Sequence, residues 1–147
     1  MNKPTLTTLL SLLLLTGCSG TMPQLGLENG RLQPCPSSPN CVCSQDKDAD
    51  HYIEPIRVST STTEAKAMLL RILAESARTK VTVQEDTYIR AEFSSRIFRF
   101  VDDVEFLLQE KETDETLIEV RSASRVGYSD FGVNRKRIEK IRGQLTD

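Results

Sequence analysis

The sequence predicts an α+β domain, in which an antiparallel sheet of four to five strands has two helices packed on one face. Apolar residues recur at helical spacing near both ends of the globular part, and they alternate with polar residues in the segments between. Those alternating segments follow one another with gaps of turn length, which favours antiparallel neighbours. The predicted order is β-α-β-β-β-β-α. With 147 residues, 38% of them hydrophobic, the chain fits one globular domain and a tail.

The first predicted elements are an edge strand and an amphipathic helix. Tyr52 to Val58 alternates apolar and polar residues, and Pro55 within it favours a position at the edge of the sheet. Ser61 and the two threonines after it form an N-cap signature in front of Glu64. Apolar residues then recur at helical spacing as far as Ala77, which predicts a helix with one buried face.

Four strands are predicted after this helix. The alternation of apolar and polar residues centres on Val83, on Tyr88 to Arg96, on Phe106 and on Val120. The turn Thr113 to Glu115 between the last two strands is the clearest hairpin signal. A final helix follows the last strand, with three apolar residues on its inner side: Ile138, Ile141 and Leu145.

The segment before the domain, residues 34–43, holds three prolines and three cysteines in the sequence PCPSSPNCVC. Proline fixes φ and lacks an amide donor, so this segment is predicted to be a rigid turn or cap. In an exported protein, neighbouring cysteines favour a disulfide, and a Cys35 to Cys41 bond would contribute about 2–3 kcal/mol. A redox pair is one alternative, and the other is a metal site with the ligands Cys35, Cys41, Cys43 and His51. Because this spacing matches no common zinc pattern, neither a metal nor another cofactor is expected.

The first 17 residues predict a secretory signal peptide. Lys3 precedes a leucine-rich run from Leu6 to Leu15, which at about ten residues is shorter than the roughly 20 needed to cross a membrane as a helix. The run leads into Leu15-Thr16-Gly17-Cys18, which resembles the lipobox of bacterial lipoproteins. This resemblance implies that Cys18 is the first mature residue, and that acyl chains such as palmitate on it hold the protein at a bilayer.

The residues after Cys18 predict a location and a tether. In lipoproteins, a residue other than Asp after the acylated cysteine implies the outer membrane, and Ser19 stands there. A plain secretory signal that releases a soluble periplasmic protein is the alternative. Ser19 to Leu32 has no periodic apolar pattern and is predicted to be a tether in front of one globular domain at residues 34–147. The chain has 19 basic and 21 acidic side chains, and this mildly acidic net charge argues against nucleic-acid binding.

The stretch from Arg121 to Arg137 joins the last strand to the last helix and is rich in polar side chains. Period-two alternation places Arg121 and Arg125 on one face of the strand and Ser124 on the other. Asp130 or its neighbour Ser129 can cap the helix, and a helix N-terminus with arginines nearby favours an anion such as a carboxylate or phosphate. Structural capping alone explains the same residues. The predicted site for a ligand or partner comprises eight residues: Asp102, Asp103, Arg121, Ser124, Arg125, Asp130, Asn134 and Arg135.

Three segments together resemble the bacterial domain-of-unknown-function family 1499: PCPSSPNCV, YIRAEFSSRIFRFVDDVEF and IEVRSASRVGYSDFGVNRKRIEKIR. The resemblance covers Pro34 to Leu145 and implies an exported or envelope domain, with no established activity to carry over. Family members usually have Ser where this chain has Cys43. That departure supports pairing of Cys35 with Cys41 and leaves Cys43 without a predicted role.

These features predict a non-enzymatic envelope lipoprotein that binds an envelope protein or a small anionic ligand through the Arg121–Arg137 turn. A hydrolase acting on cell-envelope material and a purely architectural envelope protein are the alternatives. The chain's one histidine is a poor partner for Ser124 and Asp130 in a Ser/His/Asp triad. Asp103 and Glu105 share a strand face and are compatible with paired carboxylates. No catalytic residue is assigned.

Overall fold

The computed structural model describes residues 25–112 and 114–146. They form a mixed α+β fold with a six-stranded antiparallel sheet, two helices and a separate two-stranded hairpin. The predicted signal peptide, Cys18 and the first residues of the predicted tether lie outside the described residues. In chain order the elements are β1 Leu27–Glu28, β2 Arg31–Leu32, β3 Cys41–Cys43, β4 Ile56–Val58, α1 Thr62–Glu75, β5 Thr79–Gln84, β6 Tyr88–Ser94, β7 Val101–Glu112, β8 Glu115–Ser124 and α2 Val133–Thr146.

The sheet has the order β3-β8-β7-β6-β5, and β4 also pairs with β8. β3 and β4 share one edge of β8, where Cys41 lies opposite Ala123 and Ile56 lies opposite Ile118. The strands β5 to β8 form a meander of consecutive antiparallel neighbours, as their turn-length spacing predicts. The loops β6–β7 and β8–α2 therefore lie at one end of the sheet, and the turns β5–β6 and β7–β8 lie at the other.

The strand count differs from the predicted four to five. Residues 34–43, expected to be a turn or cap, end in the short strand β3. The three prolines all precede Asn40, so the following residues keep their amide donors and can pair with β8 at the edge of the sheet. The cap and the sheet are therefore continuous.

The last part of the predicted tether also needs correction, because residues 27–32 form the β1–β2 hairpin. Its turn is Asn29-Gly30, with φ values of 50° and 73°, which is the dipeptide that best favours a two-residue hairpin turn. Leu32 is buried and packs with Cys43, Tyr88 and Leu107. The domain therefore begins before the predicted boundary at residue 34.

Both helices pack on the same face of the sheet and enclose the main apolar core. Ser61 caps α1 by accepting a hydrogen bond from the amide of Glu64, as predicted, and the helix ends at Glu75. The core joins apolar side chains of both helices to alternate residues of the strands, including Leu69, Phe106 and Ile138. No helix in the described part of the chain is long and apolar enough to cross a membrane.

Candidate functional site

The sheet face opposite the helices carries charged side chains on three adjacent strands. The strand register places Glu105 of β7 directly opposite Arg121 of β8. Asp103 of the same strand lies opposite Glu92 of β6. Side chains of directly opposed residues are close enough to interact, so this face is predisposed to form a network of ion pairs. We call these residues, together with Arg125, the charged network.

Arg125 is the centre of one half of the charged network. Its guanidinium donates two hydrogen bonds to Asp103, with Nε–Oδ2 and Nη2–Oδ1 distances of 2.7 and 2.8 Å, and a third to Glu92 at 2.5 Å. Asp103 is only 1% exposed. Hydrogen bonding to Asp103, with a further contribution from Glu92, raises the pKa of Arg125 above its usual value. The guanidinium of Arg125 is therefore held by two carboxylates of the protein itself.

Glu105 is the centre of the other half and is completely buried. Its carboxylate accepts hydrogen bonds from Arg121 at 3.1 Å, from the hydroxyl of Tyr88 at 2.7 Å and from the amide of Gly26 at 3.0 Å. Burial and the bond to Glu105 raise the pKa of Tyr88. The side chain of Arg121 is 8% exposed, and its Nε–H is buried without any acceptor in the described chain. One donor of this half is therefore unsatisfied.

Arg121 is also one of the residues that line a cleft of about 390 Å³. The sheet contributes one wall with Asp103, Arg121, Ala123, Ser124 and Arg125. The segment before β3 contributes the opposite wall with Leu25, Gln33, Pro34, Cys35 and Pro36. The cleft thus joins an arginine-bearing surface to a largely apolar one.

On the helix side of the sheet, Asn134 connects three segments of the chain and is completely buried. Its Oδ1 accepts from Ser122 at 2.5 Å and from Arg137 at 2.6 Å. Its Nδ2 donates to the carbonyl of Asn40 and to Ser124 Oγ, both at 3.0 Å. All four bonding positions of the amide are occupied, so Asn134 joins α2 to β8 and to Asn40, the residue before β3.

The first turn of α2 is capped by a side chain, as predicted. Asp130 Oδ2 accepts from the amide of Asn134 at 2.7 Å, and its Oδ1 accepts from the amide of Gly132 at 3.0 Å. Arg137, one turn further along, pairs with Asp102 and lies over the ring of Phe93 at 4.8 Å. This helix N-terminus is therefore satisfied by the protein itself.

Seven of the eight predicted site residues fall into two groups on opposite faces of the sheet. Asp103, Arg121 and Arg125 belong to the charged network and line the cleft. Asp102, Ser124, Asp130 and Asn134 bond within the cluster around the start of α2. Arg135 belongs to neither group, because it donates to the carbonyls of Asp50 and Tyr52. The predicted site leaves out four of their partners: Asn40, Glu92, Glu105 and Arg137.

Cys35 and Cys41 form a disulfide with a Cα–Cα distance of 5.7 Å. This bond removes two of the four ligands considered for a metal site. His51 is buried, and its Nδ1 lies 3.0 Å from the carbonyl oxygen of Cys41. Cys43 is free and completely buried, and burial raises the pKa of its thiol. The free thiol therefore packs beneath the hairpin as a small apolar side chain.

Comparison with known proteins gives one positive result. A search among curated proteins found no match. A family model described as "Protein of unknown function (DUF1499)" matches residues 31–145, from β2 to the last turn of α2. The match includes the disulfide, the charged network and the cluster around Asn134. The chain belongs to the DUF1499 family.

Proposed function

We propose that this protein is an envelope lipoprotein whose domain binds a small ligand in the cleft beside Arg121. The ligand presents a carboxylate or another oxygen acceptor to the Nε–H of Arg121. The anchor is supported by the lipobox-like sequence Leu15 to Cys18 and by Ser19, which favours the outer membrane facing the periplasm. One observation carries the binding site: Arg121 lines the cleft, and its buried Nε–H has no acceptor among the described residues.

The unsatisfied donor distinguishes Arg121 from the other charged side chains around it. Arg125 is held by two carboxylates, and Glu105 accepts three hydrogen bonds. Leaving a buried donor unpaired costs about 1–3 kcal/mol, and a ligand oxygen at that donor would recover this free energy. Glu105 holds the guanidinium of Arg121 in place, so little side-chain entropy is lost when a ligand binds.

The composition of the cleft indicates the size and polarity of its ligand. A volume of about 390 Å³ is within the range of small-molecule sites. Leu25, Pro34 and Pro36 provide an apolar wall opposite Arg121. Because Glu105 already balances the charge of Arg121, the site selects for an acceptor oxygen next to a short apolar group rather than for a highly charged anion. Binding is favoured over hydrolysis, since Asp103 and Glu105 are both committed to arginines.

The binding site can be tested by nitrogen-proton correlation NMR of the full-length protein in detergent micelles. Titration with butyrate, which combines a carboxylate with a short apolar tail, is expected to shift the Nε–H resonance of Arg121 because that proton gains an acceptor. The resonance is assigned from its absence in Arg121→Lys. Butylammonium, which has the same apolar tail but no acceptor oxygen, serves as the ligand control, and Arg57→Lys is the control variant on an exposed arginine. If butyrate leaves the Nε–H resonance unchanged, the purely architectural function is favoured instead.

The anchor can be tested by intact mass spectrometry of protein purified from a bacterial membrane fraction. The expected mass corresponds to cleavage before Cys18 with acyl chains added to that residue, and with two hydrogens lost to the Cys35–Cys41 bond. A mature chain without acyl groups would contradict the lipoprotein assignment. That result would leave the ligand site untouched, because the cleft consists of residues of the folded domain.

A further inference from the structure

Exposed apolar side chains are concentrated at one end of the sheet. The described residues include eight large hydrophobic side chains that are exposed, and six of them lie in the β6–β7 loop, in the β8–α2 segment or at the first residue of α2. The exposed fractions reach 79% for Ile97 and 89% for Phe131. We call this set the aromatic end; its members are Ile97, Phe98, Phe100, Tyr128, Phe131 and Val133.

The fold holds both segments of the aromatic end at the same place. The amide of Ser95 donates to the carbonyl of Phe100 at 2.8 Å and closes the β6–β7 loop. Within that loop the rings of Phe98 and Phe100 stack with centroids 5.4 Å apart. The amide of Arg125 donates to the carbonyl of Val101 at 3.0 Å, which fixes the end of β8 beside the start of β7. The apolar side chains are therefore displayed by a supported end of the sheet.

Exposed charges at this end are predominantly basic. Arg96 and Arg99 flank the apolar residues of the β6–β7 loop, and both are exposed. Arg78, at the start of β5, and Lys136, in the first turn of α2, are also exposed. The whole chain has a formal charge of -2, so this basic excess is local. An apolar surface with basic residues around it complements the acyl and phosphate layers of a phospholipid bilayer.

The described chain also begins near the aromatic end. Leu25 lies on the wall of the cleft with Ala123 and Arg125, which are at the end of β8 that leads into the aromatic end. Cys18 precedes Leu25 by seven residues, which can span at most about 25 Å when fully extended. Acyl chains on Cys18 would therefore hold this end, rather than the opposite end with the β7–β8 turn, close to the bilayer.

We infer that the aromatic end lies against the surface of the bilayer that receives the acyl chains of Cys18. This inference rests on the proposed anchor and adds to it a fixed orientation of the domain. Phe98 and Phe131 insert among the lipid headgroups and upper acyl chains, while Arg96 and Arg99 contact phosphate groups. The opposite end of the sheet then points away from the membrane.

A single tryptophan can report this contact, since the chain contains none. The full-length protein with Phe98→Trp is reconstituted into phospholipid vesicles, with and without brominated acyl chains, and floated through a density gradient. Phe98 is 73% exposed, so the substitution leaves the packed core intact. Brominated lipid is expected to quench the emission at position 98. The matched control is Asp86→Trp, an exposed position in the β5–β6 turn at the opposite end of the sheet, where no quenching is expected.

The remaining outcomes separate the orientation from the anchor. Flotation without quenching at position 98 would overturn the orientation and leave the anchor standing. Equal quenching at positions 98 and 86 would also overturn it, because the domain would then have no preferred side. A concentration-dependent blue shift at position 98 without quenching would assign the aromatic end to a second copy of the chain instead. Protein that fails to float would overturn the anchor and the orientation together.

Discussion

Replacement of Arg125 by methionine is expected to lower the free energy of unfolding by about 3–5 kcal/mol, since it leaves buried carboxylates without their partner. Asp103 is 1% exposed and would lose both of its bonds to the guanidinium. The side chain of Glu92 is 19% exposed and would lose a bond of 2.5 Å. Methionine replaces the apolar stem of arginine, so the loss measures the charged contacts more than the packing. Urea unfolding of the variant and the parent protein provides the measurement.

Two further variants sharpen this experiment. Arg57→Met breaks an ion pair with Glu115 whose side chains are 66% and 34% exposed, so its cost is expected to stay below about 1 kcal/mol. Arg125→Lys keeps the positive charge but cannot reproduce the two parallel bonds to Asp103, and an intermediate loss is expected. If Arg125→Met lowers the free energy of unfolding by no more than Arg57→Met does, the charged network does not stabilise the fold.

The sequence predicts the faces of the sheet more reliably than it predicts the contacts on them. Period-two alternation correctly places Arg121 and Arg125 on the face of the charged network and Ser124 on the face of Asn134. Alternation cannot tell which residue of β7 lies opposite Arg121, because the register depends on the β7–β8 turn and the bulge between Glu110 and Glu112. Only the structure therefore shows that Arg121 pairs with Glu105 rather than with another acidic residue of β7.

The cleft could not be predicted for a different physical reason. One of its walls comes from residues 25–36, which have no periodic apolar pattern and for which the sequence predicts a tether and a cap. The Asn29-Gly30 turn was the available signal, but two-residue strands are too short to show alternation. The hairpin is held by burial of Leu32 and by the bond from Gly26 to Glu105, which are contacts distant in sequence. Local patterns carry no information about such contacts.

Replacement of Asn134 by alanine is the second large effect, with an expected loss of about 2–4 kcal/mol in the free energy of unfolding. The variant removes four hydrogen bonds and leaves the carbonyl of Asn40 without the donor at 3.0 Å. Alanine is the better helix former, so helix propensity opposes the loss and cannot explain it. Gln144→Ala, at an exposed position of the same helix, is the matched control and is expected to be nearly neutral.

A second measurement distinguishes loss of this junction from a uniform loss of stability. Asn134 holds α2 to Asn40, which directly precedes β3, and β3 contains the buried Cys43. Local opening of β3 in Asn134→Ala should therefore make the Cys43 thiol react with iodoacetamide faster than in a variant of equal global stability, such as Arg57→Met brought to the same stability with urea. Equal rates of alkylation would mean that Asn134 stabilises the domain as a whole. Faster alkylation would show that this one amide keeps β3 closed over the free thiol.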